Sequence, residues 1–391
     1  MRGAVGGERV DVLVFVAPPG ESLYERLMAR GLLALATDLV ELALDCPLVG
    51  RVIVVTGSDD AAQALGGREG VLVERDRPGT AFHFGRRLLE TVERHGVRRP
   101  LYFGAGSAPL LGAEGLQAVC RTLLEAEGVV VANNLLSADF FGISTPEALR
   151  RVPLPAGEDN YLPALLARQG GLRAVPLEPS LETELDVDTP TDLAVLQIKG
   201  GAKPHTRRFL EGAGLEARPL SSGHLERVLP VLVRQGAALT LIGRVATNLW
   251  GRVPSELIPG RLRLYVEERG MKAQGREARG EVRSLVGRLL EAVGPRGLFE
   301  VLAGFSDAVF FDTRVVFNHL GLRLGAGDRF ASDVGDVERI GDPAARAFTE
   351  AALGAGTAVV LGGRNVVAGG LWALAEAAWE RADAGLLQLD T

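Results

Sequence analysis

The segment Glu184-Leu185-Asp186-Val187-Asp188-Thr189-Pro190-Thr191-Asp192-Leu193 joins an extended stretch to the start of a helix. Residues two apart in a strand point to the same side, so we expect Asp186 and Asp188 to project together. Thr189 is suited to cap the helix and Pro190 to occupy its first position. Asp192 then falls in the first helical turn, where the helix dipole favours a carboxylate.

This pattern has two interpretations, and both stay open on local grounds. Two carboxylates so close together repel each other unless a cation or a set of backbone N–H groups lies beside them. Asp186 and Asp188 are therefore candidate catalytic residues and candidate ligands of Mg²⁺. A well-capped turn from strand to helix explains the same residues without any ligand.

Length and composition predict a globular protein of more than one domain. The chain has 391 residues, of which 47% are hydrophobic, and this length exceeds what one core usually serves. A Gly/Pro/Lys-rich stretch lies between the two halves. We expect a first domain over residues 1–198, a linker over 199–206 and a second domain over 207–391.

The net charge and the lengths of the apolar runs indicate which classes of partner and which cellular compartment to expect. A formal net charge of −6 argues against general nucleic-acid binding, which needs a basic surface. No apolar run reaches membrane-spanning length. The first residues have no apolar core of a signal peptide, and Cys46 and Cys120 lie in apolar surroundings that suit buried thiols. We expect a cytoplasmic protein with neither a nucleic-acid nor a membrane partner.

Strands and helices alternate through the first half, which predicts a mostly parallel, Rossmann-like α/β sheet. Ligands of such sheets lie at the carboxyl ends of the strands. The predicted strands are 10–16, 51–56, 70–74, 100–103 and 128–132. The loops after the third, fourth and fifth strands hold the candidate substrate-binding residues Arg75, Arg77, Gly79, Gly106, Ser107, Asn133, Asn134 and Asp139. Ordinary turns and helix caps explain each of these residues individually.

Three segments of the first half form a recognisable set: 39–56, with a Pro before a strand ending in Val-Val-Thr; 101–111, which ends in Pro-Leu-Leu; and 185–193, the Asp-x-Asp-Thr-Pro-x-Asp-Leu motif. Through these segments, residues 10–198 resemble the nucleotidyltransferase-like fold of the molybdenum cofactor guanylyltransferases and 2-phospho-L-lactate guanylyltransferases. The resemblance implies a nucleoside triphosphate over the sheet, Mg²⁺ on carboxylates, and attack by a substrate phosphate on the α-phosphorus.

Two departures from the family pattern bear on activity. Ser107 stands where the family has a metal-binding Asp before Pro-Leu-Leu. The first loop, Ala17-Pro18-Pro19-Gly20-Glu21-Ser22, has one Gly, two prolines and no basic residue before Arg26, whereas the family's phosphate loop is rich in Gly, Arg and Lys. Either the site has been rebuilt, or this domain is a non-catalytic scaffold and any ligand chemistry lies in the second domain. A glycosyltransferase is a third interpretation, although its acidic pair normally follows a strand in the middle of the sheet.

The second half is also predicted to be α/β, and it resembles no family that we recognise. Its candidate site residues follow two apolar strands and are Asp312, Arg314, Gly362, Gly363 and Arg364. An acid and an arginine at a strand end often pair structurally, but α/β enzymes also place their chemistry there.

These observations favour a Mg²⁺-dependent nucleotidyltransferase that transfers a nucleoside monophosphate from a triphosphate to a phosphorylated small molecule. The expected partners are a nucleotide and a small-molecule phosphate or sugar. The sequence leaves room for a homodimer.

Overall fold

The computed structural model describes residues 8–77, 79, 81–153, 161–213, 223–246 and 257–387. The chain divides into two compact units. The first comprises Met1–Pro18 and Leu32–Thr183, and the second comprises Pro19–Gly31 and Glu184–Thr391. A division into compact units does not test the predicted domain boundaries at residues 198 and 207, which stay predictions.

A seven-stranded sheet, in the order β3-β2-β1-β4-β6-β5-β7, forms the centre of the first unit. Its strands are β1 (Val10–Val16), β2 (Val49–Thr56), β3 (Val71–Arg75), β4 (Pro100–Gly104), β5 (Val129–Ala132), β6 (Phe140–Ile143) and β7 (Arg173–Pro176). The helices that begin before residue 184 are α1 (Leu23–Asp45), α2 (Asp59–Leu65), α3 (Phe84–His95), α4 (Ala113–Glu125), α5 (Leu162–Arg168) and α6 (Leu181–Glu184).

β1 lies near the middle of this sheet because it is apolar on both faces. It pairs in parallel with β2 and with β4. Alternate residues of β1 enter two hydrophobic clusters: Val12 belongs to one and Leu13 to the other. Only β6 runs antiparallel among the described strands. The prediction of a mostly parallel α/β sheet is confirmed.

The starts of the helices follow local capping chemistry. The sequence Ser58-Asp59-Asp60 predicts a helix cap, and Ser58 caps α2, since its hydroxyl accepts a hydrogen bond from the backbone N–H of Ala61. The residue spacing predicts a helix over 80–93, and residue 80 lies outside the described residues. The helix begins at Phe84, because the ring of His83 accepts from the N–H of Arg86 and supplies the cap.

The second unit contains a four-stranded sheet, in the order β11-β10-β8-β9, in which all neighbours are parallel. Its strands are β8 (Ala238–Gly243), β9 (Arg261–Val266), β10 (Ala308–Asp312) and β11 (Ala358–Gly362). The remaining helices are α7 (Pro190–Lys199), α8 (Pro204–Ala213), α9 (Gly223–Val233), α10 (Leu285–Ala303), α11 (Thr313–His319), α12 (Ala326–Asp333), α13 (Pro343–Leu353) and α14 (Gly369–Asp383). The second half is therefore α/β, as predicted.

No helix in the described part of the chain combines the length and the apolarity that a membrane crossing requires. Cys46 and Cys120 are buried free thiols, as predicted. Burial and the neighbouring Cys46 thiol raise the pKa of Cys120 to about 12, so this thiol stays protonated at neutral pH.

Candidate functional site

The acidic motif forms the capped turn that its sequence predicts. The Thr189 hydroxyl accepts from the Asp192 N–H at 3.4 Å, and the Asp192 carboxylate accepts from the Thr189 N–H at 2.8 Å. Pro190 is the first residue of α7. These reciprocal hydrogen bonds make a capping box. Residues of the motif thus form the capped turn among themselves, without any ligand.

Asp192 is completely buried and is held on both carboxylate oxygens. Its Oδ2 accepts from the N–H of Asp188 at 3.0 Å, in addition to the bonds from Thr189, and its Oδ1 accepts from the Asn365 amide at 3.1 Å. The same amide donates to the Asp186 carbonyl at 2.8 Å. Burial first, and the charge of Asp188 second, raise the pKa of Asp192 to about 7.

Asp186 and Asp188 are the carboxylates of the motif that a cation could reach. Asp188 is exposed and Asp186 is half-buried. Asp192 is unsuited as a third ligand because its oxygens are already hydrogen-bonded and its pKa favours partial protonation at neutral pH. The described residues bring no third acid or histidine within ligand distance of this pair. Two carboxylates fit Mg²⁺, which usually takes one or two from protein and the rest from phosphate and water.

The first unit holds a cavity of about 520 Å³ at the carboxyl ends of β1, β2 and β3. Its wall is partly aromatic: the ring centroids of Phe15 and Tyr102 lie 5.3 Å apart, and those of Phe84 and Tyr102 lie 4.7 Å apart. Phe82 also lines the cavity and is 55% exposed. Large exposed aromatic rings are suitable surfaces for stacking a planar base.

Five arginines line this cavity, and they divide into two groups. Arg75, Arg87 and Arg94 are engaged: Arg75 pairs with Asp59, while the other two pair with the buried carboxylate of Glu74. Burial alone would raise the pKa of Glu74, but the hydrogen bond and charge of Arg87 outweigh burial and hold the pKa below its usual range.

Arg77 and Arg86 form the second group. Both are exposed cavity residues, and neither has a carboxylate partner among the described residues. With them, five arginines face two lining carboxylates, Asp76 and Glu90, so the cavity has an excess of positive charge. Of the residues predicted in this loop, Arg77 therefore faces the cavity with its charge available, Arg75 is paired, and Gly79 forms an exposed turn with φ of 71°.

Ser107, Asn133 and Asp139 meet in one buried hydrogen-bonded cluster. The Ser107 hydroxyl donates to the Asp139 carbonyl at 2.6 Å. The Asn133 amide donates to Asp139 Oδ2 at 2.8 Å, and its oxygen accepts from the Asp139 N–H at 3.1 Å. Gly106 is buried beside Ser107, and the Asn134 side chain accepts from the N–H of Leu136 at 3.1 Å. The sequence-predicted residues of these two loops thus converge, and their described bonds stabilise the loops.

The Pro-rich segment after β1 is divided between the units. Pro18 lines the cavity of the first unit, whereas Pro19–Gly31 belongs to the second. Within the second unit, the Tyr24 hydroxyl donates to Asp336 at 2.7 Å. Burial, and then this hydrogen bond, raise the pKa of Tyr24 well above its usual range.

The candidates of the second half gather at one edge of the four-stranded sheet. Asp312 and Gly362 are register partners. Asp312 forms a two-pronged ion pair with Arg244, and Arg314 forms another with Asp333. Gly363, Arg364 and Asn365 follow β11 directly.

Several residues of the candidate sites could not be identified from local sequence patterns. Arg244 follows β8, a strand that was not predicted, although Ala238–Gly243 is mostly apolar. Phe82 and Arg87 belong to the cavity because α3 folds against the sheet. The bond between Asn365 and Asp192 joins residues 173 apart in the chain.

Comparison with known proteins finds a relative of the first half of the chain. No family model matches the chain. A phosphoenolpyruvate guanylyltransferase from Streptosporangium roseum is 31% identical over 194 residues, which cover 46% of this chain and 77% of that enzyme. The chain belongs to this guanylyltransferase family. The resemblance inferred from the sequence motifs is confirmed, and the C-terminal half of this family member is unmatched.

Solved structures of nucleotidyltransferases also align with this family member. A cytidylyltransferase from Leptospira borgpetersenii is 16% identical, with a TM-score of 0.38, over 55% of this chain and 97% of that chain. A nucleotidyl transferase from Methanothermobacter thermautotroptrophicus is 21% identical, with a TM-score of 0.39, over 53% of this chain and 100% of that chain. Such low identities and TM-scores do not distinguish one activity from another.

Proposed function

We propose that this protein is a Mg²⁺-dependent nucleotidyltransferase that transfers a nucleoside monophosphate from a triphosphate to a phosphorylated small molecule. The observation that carries the proposal is membership of a guanylyltransferase family. Because the related enzyme is named for phosphoenolpyruvate, we propose guanosine triphosphate and phosphoenolpyruvate as the first substrate pair to test. An oxygen of the acceptor phosphate attacks the α-phosphorus, a new P–O bond forms, and pyrophosphate leaves.

The cavity of the first unit supports nucleotide binding. Its volume of about 520 Å³ suits a small-molecule ligand. Phe82 offers a stacking surface, and Arg77 and Arg86 offer charge for phosphate oxygens. Charge-assisted hydrogen bonds from arginine to phosphate are among the strongest that a protein makes. We therefore assign nucleotide binding to Phe82, Arg77 and Arg86, with Ser107, Asn133 and Asp139 as positioning residues of the neighbouring loops.

Asp186 and Asp188 are the proposed ligands of Mg²⁺ in the second unit. When bound, the ion neutralises phosphate charge that develops as the bond to pyrophosphate breaks. The protein holds the pair in place through the Asn365 amide, which donates to the Asp186 carbonyl, and through Asp192, which accepts from the Asp188 N–H. Asn365 and Asp192 are therefore positioning residues.

Binding of guanosine triphosphate with Mg²⁺, measured by equilibrium dialysis, tests the cavity assignment. Arg77→Gln and Arg86→Gln are each expected to weaken binding about tenfold or more, because each removes a charge-assisted bond. Arg121→Gln is the matched control, since Arg121 is exposed on α4, away from the residues that line the cavity, and donates a hydrogen bond to Gln117. Unchanged affinity in both cavity variants would reject the cavity as the nucleotide site.

One specific observation favours the scaffold alternative. The Ser107 hydroxyl, at the position of an expected metal-binding acid, is buried and donates to a backbone carbonyl. A first unit that is a non-catalytic scaffold or binding domain would leave the protein unable to release pyrophosphate from any common nucleoside triphosphate with Mg²⁺ and an acceptor. Pyrophosphate release that is lost in Arg77→Gln and in Arg86→Gln would reject this alternative.

A further inference from the structure

β9 forms one edge of the second sheet. It pairs in parallel with β8, and no strand in the described part of the chain pairs with its other side. The backbone N–H groups of Arg261 and Glu267 donate to the carbonyls of Ala237 and Gly243. Because the direction of the backbone groups alternates along a strand, the odd-numbered residues of β9 bond to β8. The even-numbered residues therefore direct their N–H and C=O groups outward, at the free edge.

The residues whose backbone groups point outward are apolar and exposed. Leu262, Leu264 and Val266 lie on the same face of β9 and are 37%, 39% and 40% exposed. An edge that combines unpaired backbone groups with exposed apolar residues is a template for pairing with a further strand. Charged residues on an edge strand usually prevent such pairing, so the charges of β9 decide whether a second copy can bind.

The charges of β9 are complementary to those of a second copy in the antiparallel orientation. The sequence Arg261-Leu262-Arg263-Leu264-Tyr265-Val266-Glu267 is basic at its start and acidic at its end. When Leu264 lies opposite the partner's Leu264, Arg261 lies opposite the partner's Glu267, and the twofold axis repeats this contact. Opposite charges that face each other across an antiparallel pair are stabilising.

The backbone and the side chains favour the same register. Centring on Leu264 places even-numbered residues in the hydrogen-bonded pairs, and these are the residues whose backbone groups point outward. Leu262 then lies opposite the partner's Val266, so apolar residues meet. The next register in one direction places Arg263 opposite the partner's Arg263, which opposes like charges. The next register in the other direction places Leu262 opposite the partner's Glu268, which removes water from a carboxylate against an apolar side chain.

The two complementary residues are held in place within their own chain. Glu267 accepts from the Ser284 hydroxyl at 2.5 Å and from the N–H of Leu285 at 2.7 Å. The Nε of Arg261 donates to the Gly236 carbonyl at 3.2 Å. As odd-numbered residues, both project from the same face of the strand. Side chains that are already ordered lose little conformational entropy when a partner binds.

We propose that this protein forms a symmetric homodimer in which β9 pairs antiparallel with β9 of a second copy, centred on Leu264. The two four-stranded sheets then join into one continuous sheet. Each chain contributes one strand, which is a small interface, so the dimer is expected to be reversible and to dissociate on dilution. The interface lies in the second unit and does not depend on the nucleotide transfer proposed above.

Sedimentation velocity of the full-length protein over a dilution series tests this interface. The wild type should show a reversible equilibrium between monomer and dimer. Arg261→Glu and Glu267→Arg should each raise the dissociation constant of the dimer about a hundredfold, because the twofold axis repeats a like-charge contact that costs about tenfold. Leu264→Lys should also weaken the dimer, because it places two ammonium groups opposite each other. Val301→Lys is the control, since Val301 is 43% exposed on α10; it should dimerise like the wild type.

An equal mixture of Arg261→Glu and Glu267→Arg distinguishes the proposed register from a general loss of stability. In a mixed dimer, one chain carries acids at both positions and the other carries arginines at both, so each contact joins opposite charges again. The mixture should dimerise with the dissociation constant of the wild type, although neither variant does so alone. Three results would overturn the proposal: a wild type that stays monomeric throughout the dilution series, a charge variant that dimerises like the wild type, or a mixture that stays monomeric.

Discussion

The buried carboxylate of Asp192 makes the stability of the second unit depend on pH in a direction opposite to that of most acids. Its pKa rises from 3.8 to about 7 on folding. Between these values the folded state binds the proton and the unfolded state does not, so stability falls as the pH rises. The full change corresponds to about 4 kcal/mol in the free energy of unfolding.

Asp192→Asn isolates this effect because asparagine has the shape of the protonated acid but does not titrate. All other titrating groups are shared, so the difference in unfolding free energy between wild type and variant removes their contribution. Linkage with the two pKa values predicts that the wild type loses about 2–3 kcal/mol relative to the variant between pH 5 and pH 8. A constant defect in the variant's cap would shift the difference equally at both pH values.

Urea unfolding followed by tryptophan fluorescence at pH 5 and pH 8 measures this difference, since the tryptophans lie in the unit that contains Asp192. Asp383→Asn, at an exposed position at the end of α14, is the control and should follow the wild type at both pH values. If the difference in unfolding free energy between the wild type and Asp192→Asn is the same at pH 8 as at pH 5, the raised pKa is refuted.

Three further changes test the same network. Asp188→Ala should lower the pKa of Asp192, because the Asp188 charge is the second cause of its rise. The difference in unfolding free energy between Asp188→Ala and the double variant Asp188→Ala/Asp192→Asn should therefore change less with pH than the difference between the wild type and Asp192→Asn. Arg314→Met should lower the unfolding free energy by about 3–5 kcal/mol by leaving buried Asp333 without its partner, and adding Asp333→Leu should restore part of the loss in urea titrations. Gly243→Ala should lower the unfolding free energy by about 1–3 kcal/mol, through backbone strain and the contact of the new Cβ with Asp312. A variant as stable as the wild type would show that the turn relaxes to accept the Cβ.

Local patterns in the sequence predict those parts of the fold that neighbouring residues determine. The apolar run of β1 and the hydroxyl cap of α2 were identified, as was the Thr-Pro start of α7. β8 was missed although its six residues are all buried. A short apolar run does not by itself distinguish a strand from part of a buried helix.

The candidate sites depend on partners far apart in the chain, and this limits their prediction. Asp312 was identified from its position after an apolar strand, but its partner Arg244 is 68 residues away. Likewise, the sequence predicted that Asp192 lies in the first turn of α7 but not that it bonds to Asn365. Which arginine balances which acid is determined by strand order, and strand order is not a local property.

Release of pyrophosphate from guanosine triphosphate, in the presence of phosphoenolpyruvate and Mg²⁺, tests the central claim most directly. The proposed function predicts release that requires both the acceptor and the metal, that Asp188→Ala abolishes, and that Asp383→Ala at an exposed position leaves unchanged. Other triphosphates and other phosphorylated acceptors extend the same assay. If the wild-type protein releases no pyrophosphate from any common triphosphate and acceptor, or if Asp188→Ala releases it at the wild-type rate, the proposed transfer chemistry is contradicted.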